Sequence, residues 1–225
     1  MKKIIRFIFS LFGYEIIKSA EGLPSNQVLF QNFSCLTSAF EQLFQQTEGV
    51  NFKKMASRTA LLARLRGTPP AEAYFIINAL FKTQTVYGDV CEFGVAQGET
   101  SALIANEILA GDKKFHLFDS FQGLSNPTLE DKLKDDIFSL GQMKAYKGTM
   151  SFQKSRVVSR LCSVNFPSDR YILHEGFIED VLEANIDMPK KVAFAYIDFD
   201  LFEPIKSTLE FLITRTDLGA IIIVD

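Results

Sequence analysis

The sequence predicts a doubly wound α/β domain on a mostly parallel sheet, with an N-terminal helical extension, and three observations carry that prediction. First, Val90-Cys91-Glu92-Phe93-Gly94-Val95-Ala96-Gln97-Gly98-Glu99-Thr100-Ser101 reads as a buried strand that carries an acidic residue near its end and turns over two glycines into a helix. Second, Phe115-His116-Leu117-Phe118 reads as another strand, closed by Asp119 at about the 20-residue interval at which such domains place an acid. Third, the apolar runs at 191–197 and 220–224 end in Asp198 and Asp225, and a segment of helical spacing separates them.

Composition agrees with one soluble α/β domain and a large core. Of 225 residues, 47% are hydrophobic and 23% charged. A net charge of -3 gives no electrostatic ground for a nucleic-acid partner. Phenylalanine is heavily used (22 residues) and tryptophan is absent, so most Phe read as core. Cys35, Cys91 and Cys162 are far apart and form no Cys-x-x-Cys pair, which argues against a disulfide framework or zinc site and makes the cytoplasm the expected compartment.

Residues 1–20 are basic and rich in Phe and Ile. Arg6 interrupts the apolar run, no small-x-small cleavage site follows, and the run is short of the about 20 residues needed to span a bilayer. Two readings stand: an amphipathic helix packing on the domain or on a second copy in a homodimer, and a helix lying on a membrane surface. Helical spacing recurs over 27–66, then Gly67-Thr68-Pro69-Pro70 breaks the chain. Thr68 or a neighbour is expected to cap a helix running to about Lys82. Residues 1–84 are read as the extension and 85–225 as the α/β domain.

Within that domain the predicted order is strand 89–93, helix 98–110, strand 115–119, and a long polar stretch with helical pieces at 129–140 and 150–161. Strand 171–174, helix 178–183, strand 191–197, helix 203–213 and strand 220–224 complete it. The sequence stops at the edge where a parallel sheet binds ligands, so a missing C-terminal segment is expected.

The glycine loop selects among cofactors. A dinucleotide fingerprint begun at Gly94 needs glycines at the positions of Ala96 and Glu99, and the lysine and Ser/Thr of a Walker loop are absent too. A turn that does not cradle a pyrophosphate suits S-adenosylmethionine. Glu92, Gly94, Val95, Gly98 and Thr100 are the candidate contacts from this loop, with Glu92 acting on the cofactor's cationic end. Asp119 is the candidate acceptor for the ribose hydroxyls. Ser120 and Gly123 would line the adenosine pocket, and Gly176 the loop on the adenine side. If the fourth and fifth strands are neighbours, Asp198 and Asp225 converge as oxygen ligands suited to Mg²⁺, with Asp198 also placed to take a proton. Asp200 with Pro204 reads rather as the cap of the next helix. His116 and His174 read as structural, and the lysines of 132–147 as a solvated lid face.

With those residues in view, the chain resembles the macrocin O-methyltransferase family over about 85–225. The carriers are Gly88-Asp89-Val90-Cys91-Glu92-Phe93-Gly94-Val95, Asp119-Ser120-Phe121-Gln122-Gly123-Leu124, Ile197-Asp198-Phe199-Asp200-Leu201-Phe202-Glu203-Pro204 with Ser207-Thr208-Leu209, and Ile222-Ile223-Val224-Asp225. The resemblance implies a Rossmann-like class I methyltransferase fold, S-adenosylmethionine as methyl donor, Mg²⁺ dependence, and a sugar hydroxyl of a glycan or glycosylated natural product as acceptor. It also implies that Asp198 and Asp225 hold the metal. Gln97-Gly98-Glu99-Thr100 departs from the Arg-Gly-Gly run of many relatives. A catechol-like acceptor and a catalytically silent partner protein remain as alternatives.

Overall fold

The computed structural model describes residues 58–134 and 136–225, with the single positions Cys35 and Ala39. The readings of residues 1–20, and of the helices before residue 58, lie outside the described residues.

Five parallel strands form one sheet in the order β3-β2-β1-β4-β5. They are β1 (Asp89–Phe93), β2 (Phe115–Asp119), β3 (Tyr171–Glu175), β4 (Val192–Ile197) and β5 (Thr216–Val224). The described helices are α1 (Arg58–Leu62), α2 (Pro70–Lys82), α3 (Glu99–Ile108), α4 (Lys154–Ser163), α5 (Ile178–Ala184) and α6 (Phe202–Ile213). The chain runs outward from β1 through β2 to β3, then returns to place β4 on the other side of β1. The strand order therefore reverses between β1 and β4, the place where open α/β sheets bind ligands.

Both faces are covered, which is why the central strands are apolar throughout. On one face Val90, Phe115, Leu117, Phe194 and Tyr196 pack under Ile76 and Leu80 of α2, Ala102 and Ala105 of α3, and Val157 and Leu161 of α4. On the other, Cys91, Phe93, Phe118, Ala195 and Ile197 pack under Ile178 of α5 and Phe211 and Leu212 of α6. Phe93 and Phe118 stack across neighbouring strands with centroids 4.4 Å apart. Leu62 of α1 joins Ala73, Ile77 and Leu103 in a third cluster, and Arg58 Nε donates to Glu107 Oε1 at 2.8 Å, which ties α1 to α3.

His116 and His174 lie side by side inside the sheet. Their ring nitrogens are 3.0 Å apart, and burial, then the neighbouring imidazole, push His174 down to about 4. His174 is thus neutral at ordinary pH, as befits a packed core residue.

Several boundaries differ from the sequence reading. No helix forms among the described residues of 129–140. Asp131 accepts from the Thr128 amide, and Asp136 accepts from the amides of Leu140 and Gly141, so aspartate side chains close turns that compete with a helix. A 3₁₀ turn (Met143–Tyr146) follows, and the next helix starts at Lys154 rather than near 150. Thr68 does not cap α2: Pro69 holds that position without a side-chain bond, and the Thr68 hydroxyl pairs with Thr100 Oγ1 at 2.7 Å. Asp200 does not cap α6 either. Leu201 is the N-cap residue, and the Phe202 amide donates to Asp131 Oδ1 at 2.8 Å. β5 begins at Thr216, not Ala220: Thr216 pairs with Val192, and a register shift separates this pair from Phe194–Ile221.

Candidate functional site

The strands deliver their last residues to one edge through bonds that continue the ladders. Gly94 N donates to Phe118 O at 2.9 Å, Asp198 N to Phe93 O at 2.7 Å, Asp225 N to Ile197 O at 2.9 Å and Gly176 N to Asp119 O at 3.1 Å. Glu92, Asp119, Asp198 and Asp225 thereby meet around one cavity of about 490 Å³, within the range of small-molecule sites, roughly 300–1,000 Å³. Gly94, Val95, Gly98, Thr100, Ser120, Gly123 and Gly176 line the same cavity, so all the sequence-selected positions come together.

The glycines serve close approaches. A Cβ on Gly94, whose φ is +87°, would stand 1.9 Å from the Asp198 carbonyl oxygen, so the ends of β1 and β4 can touch only there. A Cβ on Gly123 would meet Thr149 O at 2.2 Å, where the polar stretch folds back over the site. Ala96 takes a left-handed φ of 46° without being glycine, which places the loop amides side by side.

Those amides point at Asp119. Its Oδ2 accepts from Val95 N at 2.8 Å and Ala96 N at 2.9 Å, and its Oδ1 from Phe121 N at 2.7 Å. Asp119 therefore welds the loop after β1 to the end of β2. An ionised carboxylate offers about four lone-pair sites, which leaves room for one further donor beside these three amides. Ser120 closes its own turn, donating to Gly123 O and accepting from Gln122 N, so its hydroxyl is committed locally.

Glu92 has the Ser101 hydroxyl as its near polar neighbour, but no well-formed hydrogen bond joins them. Glu92 is 0% exposed, and both carboxylate oxygens lack a hydrogen bond. Burial, with Asp198 and Asp119 nearby, holds its proton on well above the usual carboxylate range. Buried polar groups are nearly always paired, which singles Glu92 out as a candidate ligand contact.

At the other end, burial and the neighbouring Asp200, Asp225 and Glu72 push Asp198 up to about 7. Tyr196 donates from its hydroxyl to Glu72 Oε1 at 2.7 Å and lies 3.4 Å from Asp198 Oδ2. Glu72 and Tyr196 escaped the sequence reading. Glu72 reads simply as an acid favouring a helix N-terminus, and its partner is far along the chain. The donor set here is all oxygen and mutually repelling, the chemistry a hard cation relieves, yet no group of three or more ligating side chains assembles among the described residues. Above it, Phe138, Phe152, Phe177 and Phe199 give the cavity an aromatic wall, and Arg66 is its one basic residue among those described.

Residues 76–225 match the model of the macrocin O-methyltransferase (TylF) family. The chain belongs to the macrocin O-methyltransferase family. No curated protein matches it. Among solved structures it is similar to the calicheamicin methyltransferase CalS11, with a TM-score of 0.60 and 19% identity over 93% of this chain and 84% of that one. It is similar also to the O-methyltransferase NovP, with a TM-score of 0.60 and 16% identity over 89% of this chain and 84% of that one. An O-methyltransferase from Bacillus cereus, solved with S-adenosylhomocysteine, follows with a TM-score of 0.50 and 13% identity over 87% of this chain and 74% of that one. At these identities the structural likeness speaks for the fold, a doubly wound α/β methyltransferase fold, while the family membership rests on the sequence match.

Proposed function

We propose that this macrocin O-methyltransferase family member transfers a methyl group from S-adenosylmethionine to a sugar hydroxyl, assisted by Mg²⁺. The observation that carries the reading is Glu92, a wholly buried carboxyl with two bare oxygens beside the glycine loop of a cavity that Asp119 and Asp198 share. The residues present suit the donor: a glycine turn without a pyrophosphate fingerprint, bare acceptor oxygens for its amino-acid end, and an acid at the end of β2. They suit the ion in chemistry, since Asp198 and Asp225 offer carboxylates and Mg²⁺ takes the rest of its shell from water.

When bound, S-adenosylmethionine supplies an electrophilic methyl group and Mg²⁺ supplies positive charge beside the acceptor hydroxyl. The chain's own residues do the remainder. Asp198, which ends β4 at the cavity, takes the hydroxyl proton as general base. Tyr196 and Glu72 brace it from behind. The aromatic wall excludes water and receives an apolar aglycone, and it also favours a second reading in which the acceptor is itself aromatic.

Calorimetric titration of S-adenosylmethionine, with NAD as control and with and without Mg²⁺, tests the reading directly. Binding of S-adenosylmethionine and not NAD is expected. Asp198→Ala is expected to keep that binding and to lose methyl transfer by about 10²-fold or more. Undiminished turnover in this variant would remove the mechanism.

A further inference from the structure

Glu99 is the first residue of α3, and its side chain is only 7% exposed. One oxygen is paired with Arg160 of α4, while Oε2 is buried and has no hydrogen-bond partner. The residue lines the cavity directly after Gly98. Arg160 fixes this arrangement from behind: Nε donates to Gln97 O at 2.8 Å and a second guanidinium nitrogen donates to Glu99 Oε1. The guanidinium thus compensates the buried charge and anchors the loop, yet leaves one acceptor bare. Gly98 is pinned in the same place, since a Cβ there would lie 3.2 Å from Val157 Cα.

A helix N-terminus by itself favours an anion. The carboxylate already built into this one reverses the demand: what the site lacks is a donor, and a cationic donor fits best. Glu92 lines the same cavity, but its complete burial disfavours the charged form, which leaves Glu99, already paired with Arg160, as the better partner for a cation. We propose that Glu99 binds the ammonium group at the amino-acid end of the methyl donor, and so sets the preference for a ligand carrying that amine. The inference rests on the cofactor reading above.

The test is a cycle of two proteins and two ligands, read by calorimetry. The ligands are S-adenosylhomocysteine and its desamino analogue, which keeps the adenosine and the carboxylate. The wild-type chain is expected to bind the desamino analogue about tenfold or more weakly, the scale of a lost charged hydrogen bond. Glu99→Gln is expected to weaken S-adenosylhomocysteine by a similar factor and to leave the desamino analogue within about twofold. Equal weakening of both ligands would assign Glu99 to holding the loop and overturn the proposal, as would unchanged binding of S-adenosylhomocysteine. Should Glu99→Gln fail to fold by circular dichroism, equal wild-type affinities for the two ligands still overturn it. A wild-type chain that binds neither ligand would instead remove the cofactor reading itself, and this inference with it.

Discussion

Glu92 sets stability against binding within one side chain. Its carboxyl is buried with no well-formed hydrogen bond, a state that costs about 1–3 kcal/mol for an unsatisfied polar group. Its folded-state affinity for the proton is well above the ordinary value of 4.5, so the sign of the pH effect follows. Below 4.5 both folded and unfolded chains hold the proton. As pH rises past 4.5 the unfolded chain releases it and the folded chain does not, so stability falls, by at most about 1.4 kcal/mol per pH unit. Glu92→Gln cannot titrate. Urea unfolding at pH 5 and pH 7 should therefore show the variant gaining on the wild type as pH rises, while its affinity for S-adenosylmethionine falls. A stability difference that is the same at both values would mean that Glu92 is charged in the folded chain.

Between elements, the joint that matters is the one between the polar stretch and α6. Asp131 accepts the Phe202 amide with one oxygen and the Thr128 amide and hydroxyl with the other. It caps a helix from a distant part of the chain, and those bonds hold its carboxyl below the ordinary range despite some burial. The same helix starts directly after the Asp198-to-Asp200 turn, whose Asp200 holds a left-handed φ of 58°. Asp131→Ala should cost about 0.5–2 kcal/mol, the usual loss on removing a helix cap, visible as a lower urea midpoint with an unchanged m-value. Because the cap sits next to the turn that bears Asp198, turnover should fall more than cofactor affinity does. Equal loss of the two would place the effect on the whole fold. Sequence alone could not locate this cap: Asp200 and Pro204 stand at cap-like spacing, while Asp131 lies 71 residues from the amide that it holds.

Across the whole molecule, the sheet was legible wherever short apolar runs met glycine or aspartate. β1 at 89–93 and β2 at 115–119 fall where periodicity put them, and Asp119, Asp198 and Asp225 share an edge because parallel strands must end together. What escaped depends on contacts far apart in sequence: Tyr196 to Glu72, Arg160 to Gln97, Thr68 to Thr100. The polar stretch escaped for another reason, since Asp131 and Asp136 spend their side chains on turns that a helical pattern does not foresee. The common edge has an energetic consequence. A folded chain that gathers carboxylates around a cavity with Arg66 as its described base is held back from its full stability until a ligand or cation arrives. Ligand at about a hundredfold excess over Kd adds about 2.7 kcal/mol to the folded state, and a domain of this size shifts by about 2–4 °C per kcal/mol. S-adenosylhomocysteine should therefore raise Tm by about 5–10 °C at that excess, and NAD at the same concentration should not. Mg²⁺ should add its own increment, and Asp198→Ala should lose that increment while keeping the rise due to S-adenosylhomocysteine. Loss of both rises in the variant would mean that Asp198 supports the cavity as a whole, and a rise with NAD equal to that with S-adenosylhomocysteine would return the cofactor to an open question.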